Sequence, residues 1–283
     1  MGRVAIVTDS ASDLTPQAAR AAGIAVIPLA VNFGPESFRA GLDLSIEEFW
    51  RRMTAPDAPF PTTATSSPGD FKAIYDRLFA EGAETIISIH VATTLSGSIK
   101  SARIAREMLE ERDIRVVDSG SASMGEGLLA TMAAELAAAG KDADEIVTSL
   151  EQRRPDLDVF VALDTLEYLR KGGRISGAQA AVGTLLSVKP IITIRDGAVH
   201  TVERPRTRGK ARERVIELMT ARPVERIAVL YTPPADGTAF RTDLLRAMGG
   251  AIDPASVSIQ PVGPSVGPHL GPGCLGGGLL YAR

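Results

Sequence analysis

Two stretches of the sequence combine several hydroxyl side chains with the start of a predicted helix. In "TTATSSPGDF", residues 62–71, five Ser and Thr residues precede a proline and a helical pattern. In "TTLSGSIKSA", residues 93–102, hydroxyl residues and a glycine stand between an apolar run and a second helical pattern. Free N–H groups and the macrodipole at a helix start attract a carboxylate or a phosphate. The two stretches together predict a cradle that binds an oxyanion.

Five residues are expected to face the ligand of this cradle: Thr65, Ser66, Ser96, Gly97 and Ser98. Gly97 would allow the backbone to approach the ligand closely. Hydroxyl residues before helices also serve as plain caps, so the prediction depends on the two stretches occurring together. A small, singly charged headgroup suits the cradle better than a triphosphate, because the sequence has no Walker-type lysine motif.

Other polar residues are weighed in the same way. Asp9 and Asp118 are expected at strand ends, where they could face a ligand or simply tie down the following turn, and we interpret them as structural. His269 in "GPHLGPG" is expected to approach the headgroup, whereas His90 and His200 lie in strand patterns and are interpreted as structural. With one cysteine and three widely separated histidines, no metal-ligand spacing appears.

The elements that must position these residues are strands alternating with helices. Apolar runs rich in valine and isoleucine, "VAIVTD", "IAVIPLAV", "TIISIHV" and "IRVVDS", are separated by helical patterns such as "SIEEFWRRM" and "SPGDFKAIYDRLFAEG". This alternation predicts an α/β fold in which helices flank each sheet. Ser67 followed by Pro68 marks a helix start, and helix ends are expected at three glycines, Gly23, Gly82 and Gly140.

A proline and alternating charges near residues 154–158 predict a boundary between two α/β domains, 1–155 and 156–283. The second domain is expected to contain an apolar helix at 177–188 and a hairpin that turns at Asp196 and Gly197. A helix from about Gly209, a strand "IAVLY", another helix and a final strand "SVSIQPVG" should follow. The tail "GPGCLGGG" is interpreted as low-complexity sequence.

Two apolar segments could leave room for an alkyl chain. The segments are "ISGAQAAVGTLLSV", from Ile175 to Val188, and "GLLATMAAELAAAG", and both are rich in small side chains. Burial of an alkyl chain stabilises a complex by about 0.8 kcal/mol for each methylene group. Ordinary helix packing would explain the same composition. Next to a cradle for an anion, the segments favour a lipid ligand.

Composition excludes several classes of partner. The 31 basic and 34 acidic residues leave a formal charge of −3 without a long basic block, so nucleic acid is not an expected partner. The N-terminus has no secretory signal pattern, and the long uncharged stretch from Pro254 to Ala282 is broken by prolines and glycines. Cys274 is the only cysteine. We expect a protein of the cytoplasm that does not insert stably into membranes.

The sequence resembles the DegV family of bacterial fatty-acid-binding proteins. The motifs that carry the resemblance occur in the family's order along nearly the whole chain: "VTDSASDL", "TATSSPGDF", "TTLSGSIKSA", "VVDS", "LEYLRKGGRIS", "LLSVKPIITIRDG" and "GPHLGPG". The resemblance implies two α/β domains, with the carboxylate of a long-chain fatty acid in the first and its acyl chain in the second. It also implies no cofactor and a separate, ATP-binding fatty acid kinase that makes acyl phosphate for phospholipid synthesis.

The resemblance assigns roles to individual residues. Thr65 and Ser66 match the family's TSQP pattern, and Ser96 and Gly97 match its LSGT pattern, so these four and His269 would hold the headgroup. Two residues depart from the patterns: Ser67 stands where glutamine is usual, and Ser98 where threonine is usual. Arg174 and Arg206 lie in basic motifs that the family associates with kinase docking or phosphoryl transfer. Because Arg174 follows two glycines and precedes an uncharged helix pattern, we expect its guanidinium group at the surface of the second domain.

Two other functions compete with the carrier. One is a serine hydrolase or acyl transferase using Ser96 and His269 with Asp9 or Asp118, although the sequence has no G-x-S-x-G motif. The other is a protein that binds a sugar phosphate or a nucleotide, against which the missing phosphate-binding lysine motif counts. The carrier is the leading hypothesis, because it alone uses both the cradle and the apolar segments.

Overall fold

Sheets flanked by helices form the frame of the computed structural model, which describes residues 2–175 and 188–283. In chain order the strands are Val4–Asp9 (β1), Ile24–Ile27 (β2), Ala30–Phe33 (β3), Glu36–Arg39 (β4), Thr62–Ala64 (β5), Thr85–His90 (β6), Asp113–Asp118 (β7), Leu157–Ala162 (β8), Ile191–Arg195 (β9), Ala198–Glu203 (β10), Val224–Tyr231 (β11), Ser258–Pro261 (β12) and Leu275–Tyr281 (β13). They form a parallel sheet in the order β2-β1-β6-β7, an antiparallel sheet β4-β3-β5 and a mixed sheet β10-β9-β8-β13-β11-β12. The predicted α/β class is confirmed.

The helices begin and end at several of the predicted signals. They are Pro16–Ala21 (α1), Ile46–Met53 (α2), Pro68–Ala80 (α3), Ser98–Glu107 (α4), Met124–Ala138 (α5), Ala143–Arg153 (α6), Glu167–Lys171 (α7), Arg208–Met219 (α8), Gly237–Met248 (α9) and Gly267–Leu270 (α10). Ser67 caps α3, with its hydroxyl accepting the backbone N–H of Asp70 at 3.2 Å. The three predicted stop glycines, Gly23, Gly82 and Gly140, have positive φ angles just beyond α1, α3 and α5.

The parallel sheet is buried on both faces, as a sheet with helices on either side must be. Ile6 and Ile87 pack with α5 and α6 on one face. Val7 and Ile86 pack with Phe71 of α3 and the small residues of α4 on the other. Because successive strand residues point to opposite faces, a continuous apolar run such as "VAIV" fills both cores.

The segment "IAVIPLAV" is two strands rather than the single run that the sequence predicted. β2 ends at Ile27 and pairs with β1, whereas β3 begins at Ala30 and belongs to the antiparallel sheet. Pro28 separates them, and it has no N–H group to donate to a strand ladder. The next N–H group, of Leu29, donates instead to the hydroxyl of Ser10 at 2.8 Å.

We interpreted the glycine-rich tail as low-complexity sequence. It leads instead into β13, a strand that lies between β8 and β11 in the six-stranded sheet. Its glycines allow close contact with both neighbours. A Cβ atom on Gly276 would lie 2.7 Å from Cα of Val161, and one on Gly277 would lie 2.5 Å from the carbonyl oxygen of Ala228. The spacing "GPGCLG" also matches G-x-G-x-x-G, but it enters a strand and not the helix that a dinucleotide-binding turn requires.

Other predictions for the second half of the chain have mixed outcomes. The hairpin of β9 and β10 turns at Asp196 and Gly197, whose φ angles of 49° and 73° suit a two-residue turn, so this prediction is confirmed. The predicted helix at 177–188 lies outside the described residues except for Val188. No described helix is both long and apolar enough to span a bilayer.

We propose that the domain boundary lies between residues 155 and 156. All described strands of the parallel and antiparallel sheets precede residue 119, and all those of the six-stranded sheet follow residue 156. The two halves are nevertheless in close contact, because α5 packs against both β1 and β13.

Replacing Gly276 with Ala should destabilise the fold, because the added methyl group would meet the backbone of β8. We expect the free energy of unfolding in urea to fall by about 1 to 3 kcal/mol. Gly209→Ala in α8 is the matched control, since nothing lies within 4 Å of the added atom and Ala favours a helix. Equal stabilities of the two variants would contradict the assigned position of β13.

Candidate functional site

A cavity of about 110 Å³ lies where the two halves of the chain meet. This volume far exceeds the roughly 10–15 Å³ that one water needs. Its polar lining comes from both halves: Thr63, Thr65, Ser96, Gly97, Arg174, Ser265 and His269. The rest of its lining is mostly aliphatic, and includes Leu29, Val91, Ile192, Val199 and Leu270. The cavity therefore has a polar end and apolar walls, which suits an amphipathic ligand.

Three hydroxyl groups form a row at the polar end. The Ser98 hydroxyl lies 3.1 Å from that of Ser96 and 3.4 Å from that of Thr65. Ser98 is fully buried, so it supports the two outer hydroxyls instead of meeting a ligand itself. Gly97 lets the two stretches approach closely, because a Cβ atom would lie 3.1 Å from the Thr65 methyl group, which would have to move. The two predicted stretches thus do meet, and Ser98 serves as their link.

Ser66 and Ser67 do not reach the cavity. Ser66 is buried and donates its hydroxyl to the carbonyl oxygen of Pro28, so the prediction that it faces the ligand is not supported by its contacts. A buried hydroxyl must find a partner, and the bend between β2 and β3 supplies one. Ser67 is exposed and bonded to Asp70. The residue that replaces the family's glutamine is therefore a helix cap.

His269 lines the cavity from α10, as predicted, but its partner is Thr63. Nε2 lies 3.1 Å from the Thr63 hydroxyl, whereas Nδ1 is buried against Gly172 and has no hydrogen-bond partner among the described residues. An N–H group buried without an acceptor is rare, so we assign the proton to Nε2. Burial, and secondarily the charge of Arg174, lower the pKa of His269 to about 4. The imidazole is neutral at pH 7 and donates to Thr63, which leaves the Thr63 hydroxyl proton for a ligand.

Arg174 also lines the cavity, although we predicted an exposed guanidinium group. It is half-buried, and Nε donates to the carbonyl oxygen of Leu95 at 3.1 Å while Nη1 donates to that of Gly172 at 2.6 Å. These bonds hold the turn before Ser96 against the second half of the chain. Arg206 is exposed, lies in the loop between β10 and α8, and does not line the cavity.

Behind the cavity lies a buried polar chain that the sequence did not reveal. The Asp9 carboxylate lies 3.0 Å from Nδ1 of His90, Nε2 of His90 lies 2.6 Å from the Ser88 hydroxyl, and that hydroxyl lies 2.7 Å from the hydroxyl of Tyr75. The order is that of a Ser-His-Asp triad. All four side chains are fully buried, so a substrate cannot reach Ser88. The sequence feature that indicates this chain is the spacing of Ser88 and His90, which are two residues apart in an otherwise apolar strand and therefore point to the same side.

Glu126 of α5 is a further buried acid that the sequence analysis missed. It accepts the Thr8 hydroxyl at 2.8 Å, and burial together with the nearby Asp9 raises its pKa well above the usual value. Its carboxylate lies within 4.8 Å of potential metal ligands on Asp9 and His90. Both ring nitrogens of His90 are already engaged, by Asp9 and Ser88, so the imidazole has no free lone pair for a metal.

The groups required for a serine hydrolase are not assembled. Among the described residues the Ser96 hydroxyl bonds only within its own loop, and His269 bonds to Thr63. Asp9 orients His90, and Asp118 accepts the hydroxyl of Thr93 at 2.7 Å. Ser96 therefore has neither a bonded base nor a carboxylate to orient one.

Comparison with known proteins assigns the chain to a family. The family model described as "Uncharacterised protein, DegV family" matches residues 3–282. The chain belongs to the DegV family. A DegV domain-containing protein of Streptomyces coelicolor is 36% identical over 277 residues, which cover 96% of each chain.

Solved DegV structures share the fold. A DegV family protein from Thermus thermophilus, described as binding fatty acid, has a TM-score of 0.89 at 34% identity, and the match covers 99% of this chain and 100% of that one. DegV from Bacillus subtilis, described as a fatty acid binding protein, has a TM-score of 0.86 at 30% identity, with both chains fully covered. The predicted family and its fold are confirmed.

The low pKa of His269 predicts a pH-dependent stability. Between pH 6.5 and about 4 the unfolded chain binds a proton at this residue that the folded chain does not, so stability is lost as the pH falls through that window. We expect the stability of ligand-free wild-type protein relative to His269→Gln to fall by about 3 kcal/mol from pH 7 to pH 4. Urea unfolding at several pH values measures this difference. An unchanged difference would show that His269 titrates normally.

Proposed function

We propose that the protein binds a long-chain fatty acid, with the carboxylate at the polar end of the cavity. The observation that carries the proposal is the lining itself, in which hydroxyl groups of the first half of the chain and Arg174 and His269 of the second half line an otherwise mostly aliphatic cavity. The fatty acid binding described for the relatives from Thermus thermophilus and Bacillus subtilis supports the same ligand class. The ligand is the cargo of the protein, and no cofactor is required.

The polar end can stabilise a carboxylate with donors that are mostly neutral. Ser96 would donate its hydroxyl proton, because its oxygen already accepts the Ser98 N–H group at 3.3 Å. Thr65 would donate its own when the single proton of the Ser98 hydroxyl goes to Thr65. Thr63 would donate a third, since it accepts from the neutral His269. Arg174 adds positive charge at the same end, where it lines the cavity. Hydrogen bonds to a charged group each contribute about 1.5 to 3 kcal/mol.

We further propose that the protein is a carrier that presents its fatty acid to a separate kinase for acyl-phosphate formation in the cytoplasm. The sequence has no Walker-type lysine motif, and the buried Ser88–His90–Asp9 chain is closed to substrate. Phosphorylation of the carboxylate would therefore depend on a partner that binds ATP. Arg174 at the cavity and the exposed Arg206 are the proposed contacts for that partner or for the phosphoryl group.

Mass spectrometry of the purified, denatured protein tests the ligand class, and we expect it to release a long-chain fatty acid. After delipidation, Ser96→Ala should raise the dissociation constant for oleate by about 10-fold to 150-fold, because one hydrogen bond to the carboxylate is lost. Ser149→Ala is the matched control, since that partly exposed side chain lies outside the cavity and donates its hydroxyl to the carbonyl oxygen of Glu145 on α6. Equal affinities of the two variants would remove Ser96 from the site, and absence of any lipid and of oleate binding would refute the carrier.

Replacing Arg174 with Ala tests whether this residue acts in phosphoryl transfer or only in fatty-acid binding. If Arg174 contacts the kinase or the phosphoryl group, the variant should bind oleate more weakly, but with the cognate kinase and ATP supplied it should lose acyl-phosphate formation even when oleate is saturating. If Arg174 only holds the turn before Ser96, affinity and acyl-phosphate formation should fall together. Wild-type acyl-phosphate formation by the variant would refute the transfer role.

A further inference from the structure

A second and larger cleft adjoins the cavity, at the carboxyl ends of β6 and β7. Its volume is about 590 Å³, within the range of roughly 300 to 1,000 Å³ that small-molecule sites occupy. Four segments line it: residues 92–94, 118–121, 154–158 without Asp156, and 194–197. The first two segments follow the parallel strands β6 and β7. In α/β sheets, ligands usually bind beyond the carboxyl ends of the strands.

Two arginines in this cleft form no close ion pair among the described residues. In the described part of the chain, no carboxylate lies within the 4.0 Å of an ion pair from Arg154 or Arg195, and residues 176–187 contain no Asp or Glu. Arg154 donates one hydrogen bond, to the carbonyl oxygen of Asp118 at 3.3 Å. Its side chain lies against Gly120, where an added Cβ atom would come within 3.4 Å of Cδ. Most of the N–H groups of both guanidinium groups remain available to an anion.

The acidic residues of the cleft face other donors. Asp118 accepts the N–H group of Gly120 at 2.8 Å and the hydroxyl of Thr93 at 2.7 Å. Asp158 is partly buried beside Thr193, and burial raises the pKa of its carboxyl group, although the charge of the neighbouring Arg195 lowers it in part. Asp196 is exposed at the hairpin turn, where it offers acceptors to a ligand. Guanidinium donors and carboxylate acceptors therefore line one cleft.

We propose that this cleft is a second ligand site, which binds a small polyhydroxylated compound carrying a phosphate ester. Arg154 and Arg195 would hold the phosphate, because the guanidinium fork matches its oxygens. The carboxylate of Asp196 would accept hydrogen bonds from hydroxyl groups of the ligand. The mixed charge of the cleft suits such a ligand better than it suits a simple anion.

The cleft is separate from the fatty-acid cavity, although the two share a wall. Ile194 lines both, and the Thr94 hydroxyl donates to the carbonyl oxygen of Gly197, which joins the turn before Ser96 to the hairpin. None of the polar residues proposed to hold the fatty acid lines the second cleft. The two sites can therefore be tested independently.

Isothermal titration calorimetry with glucose 6-phosphate, inorganic phosphate and glucose tests the proposal. We expect saturable binding of glucose 6-phosphate, weaker binding of inorganic phosphate and no binding of glucose. The double variant Arg154→Ala, Arg195→Ala should bind glucose 6-phosphate at least tenfold more weakly and keep the wild-type affinity for oleate. Arg20→Ala, an exposed arginine of α1 outside the cleft, is the matched control and should bind normally.

Several outcomes would overturn the proposal. They are the absence of saturable glucose 6-phosphate binding at millimolar concentration, wild-type affinity in the double variant, and an equal loss in Arg20→Ala. Equal affinity for inorganic phosphate and glucose 6-phosphate would refute the role of the acidic residue in binding hydroxyl groups. If the double variant does not fold, Arg154→Lys and Arg195→Lys replace it, and each should weaken binding because a point charge replaces a fork.

Discussion

The close packing of α5 against β13 is the constraint on which the rest of the structure depends. A Cβ atom on Gly278 would lie 2.9 Å from Cβ of Met124, and one on Gly127 would lie 2.7 Å from the carbonyl oxygen of Ser12. Glycines on both elements therefore let the helix touch the six-stranded sheet on one side and the loop after β1 on the other. The parallel sheet and the six-stranded sheet share this helix, so the position of each half follows from it.

Polar contacts from the first half of the chain then fix one short segment of the second half, residues 262–269. Four hydrogen bonds join them: Trp50 Nε1 to the Val262 carbonyl oxygen at 2.9 Å, the Gly263 N–H group to Asp13 at 2.8 Å, Ser10 to Ser265 at 2.7 Å and Thr63 to His269 at 3.1 Å. Most of these groups are buried, where an unpaired polar atom would be costly. The polar end of the cavity is thus built by the same contacts that hold the halves together.

The sequence allowed the α/β class, the start of α3 and the two hydroxyl stretches of the site to be predicted, because each depends on local patterns. Apolar strands, Ser67 before Pro68 and the two hydroxyl stretches are all readable within about ten residues. β13 was missed because its glycines lack the β-branched side chains by which strands are recognised. Its place in the sheet depends on contacts with β8 and β11, which are distant in sequence.

Side-chain direction in the site was harder to predict than position. Ser66 lies beside Thr65 in sequence, but the two hydroxyls meet different partners because the extended chain turns them to opposite sides. Arg174 was expected at the surface, yet the carbonyl groups of Leu95 and Gly172 hold it beside the cavity. The small residues of α5 were interpreted as room for an alkyl chain, but many of them pack against the parallel sheet, and α5 does not line the cavity.

The free energies of methylene burial and of hydrogen bonding distinguish the roles of the two ends of the proposed ligand. Each methylene group that is buried would contribute about 0.8 kcal/mol, so roughly two to four of them equal one hydrogen bond to the carboxylate, which contributes about 1.5 to 3 kcal/mol. Affinity would therefore depend chiefly on the acyl chain, and Ser96, Thr65 and Thr63 would chiefly fix which end of the ligand lies at the junction. A neutral His269 fits that role, because it orients a hydroxyl donor without forming an ion pair that release of the carboxylate would have to break.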